Sequence, residues 1–203
     1  MEAEMQKIST KQLTLCSLFT ALAATGAFLK IPMPLCPITL QFLFTNLAGL
    51  ILGKRLGGAS IGAYVVIGLL GLPIFTGGGG IGYIFQPTFG FLVMFAVGAY
   101  AAGWFVEKFG AGKWQWFTAS MLNLILVFVF GTIYYVLITN FYLQSGKNIM
   151  DMIIACAVLP LPGDILLCVI STMILKRVTP AISSFCAVAG TRTNTQTKRE
   201  FQS

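Results

Sequence analysis

The sequence predicts an all-α membrane protein of six transmembrane helices with both termini in the cytoplasm, and three observations carry that expectation. The first is composition. Of 203 residues, 57% are hydrophobic and 9% charged, with a mean hydropathy of +0.85. A soluble domain carries roughly a quarter charged residues, so charge this sparse cannot cover a water-facing surface. The second is segmentation: six apolar stretches approach the roughly 20 residues needed to cross a hydrocarbon core about 30 Å thick. The third is charge placement. With both ends inside, Lys7, Lys11, Lys54, Arg55, Lys108, Lys113, Lys176, Arg177, Arg192, Lys198 and Arg199 fall on the cytoplasmic side, leaving Lys30 and Lys147 outside, as the retention of basic residues in cytoplasmic loops requires. The net charge of +7 then follows from topology, and no nucleic-acid partner is needed to explain it.

Residues 1–12 form a cytoplasmic segment, and the first span covers residues 13–29. Its Ala21-Leu22-Ala23 stretch could pass for a signal-peptide cleavage site, but the run is as long as its neighbours and five more spans follow it. An outer loop over residues 30–37 contains Pro32, Pro34 and Pro37, which stiffen it. The second and third spans, 38–53 and 57–72, are short and need tilt or shielding, with Lys54 and Arg55 between them. A second outer loop over 73–87 holds Gly77, Gly78, Gly79 and Gly80 between apolar and aromatic flanks. Spans over 88–106 and 116–139 follow, and the last, 152–175, is broken by Pro160 and Pro162. Residues 13–177 thus make one membrane domain, and 178–203 a polar cytoplasmic tail without the apolar content to fold.

Several chemistries are excluded. The chain has no histidine, so it offers no imidazole base and no histidine metal ligand. Cys16, Cys36, Cys156, Cys168 and Cys186 show no C-x-x-C spacing and read as small hydrophobes. No metal or cofactor is expected. The run from Gly77 to Gly82 satisfies G-x-G-x-x-G, but it joins two spans on the outer face, whereas a dinucleotide fingerprint follows a strand and opens a crossover helix. There is no phosphate-binding G-x-x-x-x-G-K-[ST] either. Uphill transport would take its ATPase from another chain.

Asp164 is the one acid within apolar sequence. A carboxylate at membrane depth costs about 2.5–3.5 kcal/mol on insertion scales and marks function by default. It follows Leu159-Pro160-Leu161-Pro162-Gly163, a broken helix restarting in the outer half. Such breaks are tolerated where they line a cavity; the competing reading is an acid that merely caps this helix. Around Asp164, the N–H groups of Gly77 to Gly80, the amide of Gln41, the hydroxyl of Tyr83 and the ring of Phe85 describe a site for a small, partly apolar solute with an uncharged head and N–H donors. Small residues at four-residue spacing, Thr20 with Ala24 and Ala23 with Ala27, let helices approach closely. They serve either internal packing or the docking of a partner helix, as do Gly49, Gly53 and Gly57.

Six blocks carry a resemblance: Pro37-Ile38-Thr39-Leu40-Gln41, the residues from Leu50 to Gly57, those from Gly68 to Phe75, Gly79-Gly80-Ile81-Gly82-Tyr83, the residues from Gln86 to Phe91, and Leu161-Pro162-Gly163-Asp164. In this order, over about Leu13 to Arg177, they resemble the BioY family, the biotin-binding S components of energy-coupling-factor (ECF) transporters. The resemblance implies a six-helix protein of the bacterial plasma membrane that binds biotin near its outer face and is not an enzyme. It also implies partnership with a transmembrane coupling subunit and two cytosolic ATPases, with uptake by toppling of the S component. By residue, it implies that Asp164 accepts from the biotin ureido N–H groups, that Gly77 to Tyr83 cover the ligand, and that the Ala23 and Ala27 face docks the coupling subunit. Departures from the pattern of some members stand at Gly79 and Leu92, where those carry an asparagine and an arginine, and at Leu167, where many carry a lysine. The partner of the biotin carboxylate is therefore open among Lys30, Lys147, loop N–H groups and water. The rival readings are an S component for riboflavin or thiamine, an intramembrane enzyme, which lacks a second catalytic group near Asp164, and a scaffold, which leaves the cost of Asp164 unexplained.

Overall fold

The computed structural model describes residues 9–31, 38–146 and 148–186, and the side chains of these except Ile38 and residues 180–186. The segment 32–37 with its three prolines, Lys147 and the tail from 187 lie outside the described residues.

Helix α1 (Thr10–Phe28) starts where the Ser9 N–H donates to Gln12 Oε1 at 2.9 Å. Beyond it, β1 (Lys30–Ile31) pairs antiparallel with β2 (Ile38–Thr39), placing Lys30 opposite Thr39. Helix α2 (Gln41–Leu69) follows at once. It is interrupted at Gly53, whose φ of 78° and ψ of −179° are not helical. The chain doubles back there. A Cβ on Gly57 would stand 2.8 Å from the Ala48 oxygen and from Gly49 Cα, atoms that a straight helix would hold about 12 Å or more away. The expected loop between the second and third spans is thus a single residue. Positive φ suits glycine at Gly53, and the bare backbones of Gly49 and Gly57 let the two arms touch. Helix α3 (Phe89–Phe109) closes on the same turn, since a Cβ on Gly49 would overlap the Ala99 carbonyl and one on Gly103 the Lys54 nitrogen. Glu107 of α3 accepts from the Lys54 N–H at 2.9 Å and pairs with Lys54 Nζ at 3.0 Å, so a carboxylate meets the orphan donors where the second arm begins.

Helix α4 (Lys113–Leu137) continues as a π-helical turn over Ile138–Tyr142. It is pinned to α2 by buried amides: Asn46 Nδ2 donates to Ser120 Oγ at 2.9 Å, and Asn123 Nδ2 to Asn46 Oδ1 at 3.0 Å. The last rod is composite. Helix α5 (Ile149–Ile153) runs into a π-helical turn at Ile154–Val158, and α6 (Leu161–Cys186) restarts with Pro162 in its first turn. The break therefore sits where the two prolines place it. Helix α6 runs past residue 178, where the sequence placed the end of the membrane domain, to Cys186.

Among the described residues, four helices are long and apolar enough to cross a membrane by length and composition: Gln41–Leu69, Phe89–Phe109, Lys113–Tyr142 and Ile149–Thr179. α1 packs against α2, with Ala23 and Ala27 wholly buried. Thr20 Oγ1 makes a 2.9 Å hydrogen bond to the Ser60 carbonyl. This corrects the docking expectation: Thr20, Ala23 and Ala27 join α1 to the bundle, and Ala24 is half-buried beside them. The face of α1 left open carries Ser17, Ala21 and Thr25.

Candidate functional site

A partly open cavity lies at the end of the bundle that carries Lys30. Its mouth is lined by Thr39, just before α2, and Thr76, in the loop after it. Phe95 of α3 and Val127 of α4 line the deeper part. Phe95 stands six residues into α3 and Val127 ten residues before the end of α4, so the cavity runs about 9–15 Å down the helices. Phe42, Phe91, Leu92 and Phe128 make the walls apolar, and Cys156, Pro160 and Asp164 line the side formed by the broken rod.

Three of the residues singled out by sequence line this cavity: Asp164, Gln41 and Tyr83. Asp164 stands in the first turn of α6, with its N–H donating to the Pro160 carbonyl at 3.0 Å. It is 8% exposed and has no ion-pair partner among the described residues. Gln41, at the start of α2, is 1% exposed. Its side chain lies beside the Tyr64 hydroxyl, which donates to the Ile74 carbonyl at 3.2 Å and can still accept from the amide; among the described residues Gln41 Nε2 makes no hydrogen bond of good geometry. A ligand acceptor in the cavity could offer that amide a better-aligned hydrogen bond. Tyr83 shares a 3.3 Å hydrogen bond with Thr88, another lining residue.

The glycine loop behaves otherwise. None of Gly77, Gly78, Gly79 and Gly80 lines the cavity. The Gly78 N–H donates to the Phe75 carbonyl at 3.1 Å and the Gly80 N–H to the Gly68 carbonyl at 2.7 Å, so two of the donors assigned to a ligand are spent on the fold. Phe75, 1% exposed, plugs the loop onto the bundle, 4.6 Å from the Tyr83 ring and 5.4 Å from Tyr64. A Cβ on Gly79 would overlap the Leu72 carbonyl. Gly79 provides close backbone packing and Gly78 and Gly80 provide positive φ, 124° and 98°, and the loop acts through Thr76 and Tyr83 at its two ends. Phe85 also lies off the cavity, half-exposed and stacked on Tyr142 at 4.9 Å.

Sequence reasoning missed Thr39, Thr76 and Thr88 as lining residues. Thr39 and Thr88 lay within the family blocks, but a threonine beside a span carries no signal of direction. Chemically, the cavity offers an acceptor-only carboxylate and a buried amide donor within apolar walls. That set matches a small head bearing both N–H donors and a carbonyl acceptor, attached to an apolar body.

The sequence matches the BioY family across residues 1–184. A probable biotin transporter BioY of Lysinibacillus sphaericus is 36% identical over 185 residues, 91% of this chain and 94% of that protein. The biotin transporter BioY of Thermotoga maritima is 33% identical over 70% of this chain and 82% of its own length. Among solved structures, the S-component for biotin from an ECF-type ABC transporter superposes with a TM-score of 0.70 at 28% identity, covering 89% of this chain and 95% of that one.

Proposed function

Since this chain belongs to the BioY family, we propose that it is the biotin-binding S component of an ECF-type transporter and takes up biotin across a cell membrane. The observation that carries this reading is Asp164. A buried carboxylate with no ion-pair partner among the described residues, set in a helix break on an apolar cavity, is costly to the empty protein and is offset when N–H donors arrive. The biotin ureido group supplies two such donors, and its carbonyl can accept from Gln41 Nε2. The bicyclic ring and valerate chain suit the walls made by Phe42, Phe91 and Phe95.

The chain is a transport protein and not an enzyme. With the reversal at Gly53 dividing α2 into two passes, the helices make six crossings. The Lys30 end then faces outward, and the end holding Lys11, Lys54, Arg55, Lys108, Lys113, Lys176 and Arg177 faces the cytoplasm of a bacterial cell. Energy comes from partner ATPases through a coupling subunit. The open face of α1, with Ser17, Ala21 and Thr25, is the small-residue surface available for that subunit. The test is binding by purified protein across biotin, riboflavin and thiamine: biotin alone should bind, and binding of either other vitamin in its place refutes the reading.

A further inference from the structure

No lysine or arginine is among the residues that line the cavity, so a charge at the ligand's far end has no assigned partner. We propose that Lys30 is the residue that selects for a terminal carboxylate on the ligand, an assignment that rests on the biotin reading of the cavity. Three observations converge on it. Lys30 Nζ donates to the Thr76 carbonyl at 2.9 Å, and Thr76 lines the cavity mouth. Thr76 Oγ1 in turn donates to the Ala27 carbonyl at 3.3 Å, fixing that rim residue. Lys30 is also the β-ladder partner of Thr39, the other lining residue at the mouth. Directly paired residues of antiparallel strands project to the same face of the ladder, with Cα atoms about 4.5–5.5 Å apart.

The chemistry is complementary. An ammonium has three donors, and one is committed to Thr76, so two remain for an anion at the rim. The other described lysines and arginines are Lys11, Lys54, Arg55, Lys108, Lys113, Lys176 and Arg177, which lie at or near the opposite ends of their helices. A solute with its N–H head at Asp164 and a flexible acidic chain pointing outward brings its carboxylate to Lys30. Because Lys30 is exposed, its pull is screened by salt.

The experiment compares biotin with biotin methyl ester, which lacks the charge, on purified wild type, Lys30→Gln, Lys30→Arg and Lys147→Gln. Lys30→Gln should weaken biotin about three- to tenfold, a range between exposed pairs and charge-assisted hydrogen bonds, while the ester changes less than about twofold. Lys30→Arg should keep the preference for the acid, Lys147→Gln should leave it unchanged, and raised salt should erode it in wild type. Equal losses for acid and ester in Lys30→Gln would show that the residue only holds Thr76, and overturn the assignment. So would a preference that survives Lys30→Gln or disappears in Lys147→Gln. A wild-type protein that binds neither compound would refute the biotin reading itself, and the assignment with it.

Discussion

Replacing Asp164 by Asn should move ligand affinity and the stability of the empty protein in opposite directions. In the empty protein the carboxylate is 8% exposed, without an ion-pair partner among the described residues, and its desolvation is uncompensated. Asn keeps the shape and removes the charge, so the empty variant should be at least as stable as wild type. Binding should suffer. A hydrogen bond to a charged group contributes about 1.5–3 kcal/mol against about 0.5–1.5 for a neutral pair, so two ureido N–H bonds lose about 2–3 kcal/mol, roughly 30- to 150-fold in affinity. Thermal unfolding in detergent, with and without biotin, reads both effects. At a biotin concentration 100 times the wild-type Kd, ligand stabilises wild type by about 2.7 kcal/mol, and a variant binding 100-fold more weakly by about 0.4 kcal/mol. An Asn variant that binds within about threefold of wild type removes Asp164 from the site. One that is markedly less stable when empty makes the residue a structural cap.

Gly79→Ala should weaken biotin binding several-fold, because the added methyl meets the Leu72 carbonyl and displaces the loop that carries Thr76 and Tyr83; Gly82→Ala, with open space around it, should be neutral in the same titration. Ala23→Trp, placed at a fully buried position between α1 and α2, should reduce folded yield on size-exclusion chromatography. Ala21→Trp, on the open face, should spare binding while abolishing energised uptake in cells, and normal uptake by that variant would move the coupling contact elsewhere. Gly53→Val should lower unfolding stability by about 1–3 kcal/mol, since a β-branched residue resists a φ of 78° and its Cβ would stand 2.7 Å from Glu107 Oε1.

Much of the fold was legible in the chain because the bilayer imposes local rules. Apolar runs of a given length must be helical to satisfy their backbone, and Pro160 and Pro162 mark where the last rod breaks wherever it packs. Asp164 stood out for the same reason: a carboxylate within an apolar run of sequence carries an insertion cost that some group in space must offset. What only the tertiary structure decided was how each group's options were spent. The glycines at 77–80 could have served a ligand or the backbone, and the carbonyls of Phe75 and Gly68, with Phe75 packed over Gly68, took the N–H groups of Gly78 and Gly80 for the fold. Ala23 and Ala27 could have faced a partner or the bundle, and a stripe of small residues reads the same either way until α2 is laid against it. Gly53 could have continued a helix, ended one or reversed it, and the close approach of Gly57 to Ala48 and Gly49 is what makes it a turn. Lys30 looked like one stray charge outside, and pairing with Thr39 and Thr76 set it on the rim of the cavity. Propensity and burial cost are properties of a residue and its near neighbours, whereas direction, contact and the fate of a hydrogen bond belong to pairs of residues distant in sequence.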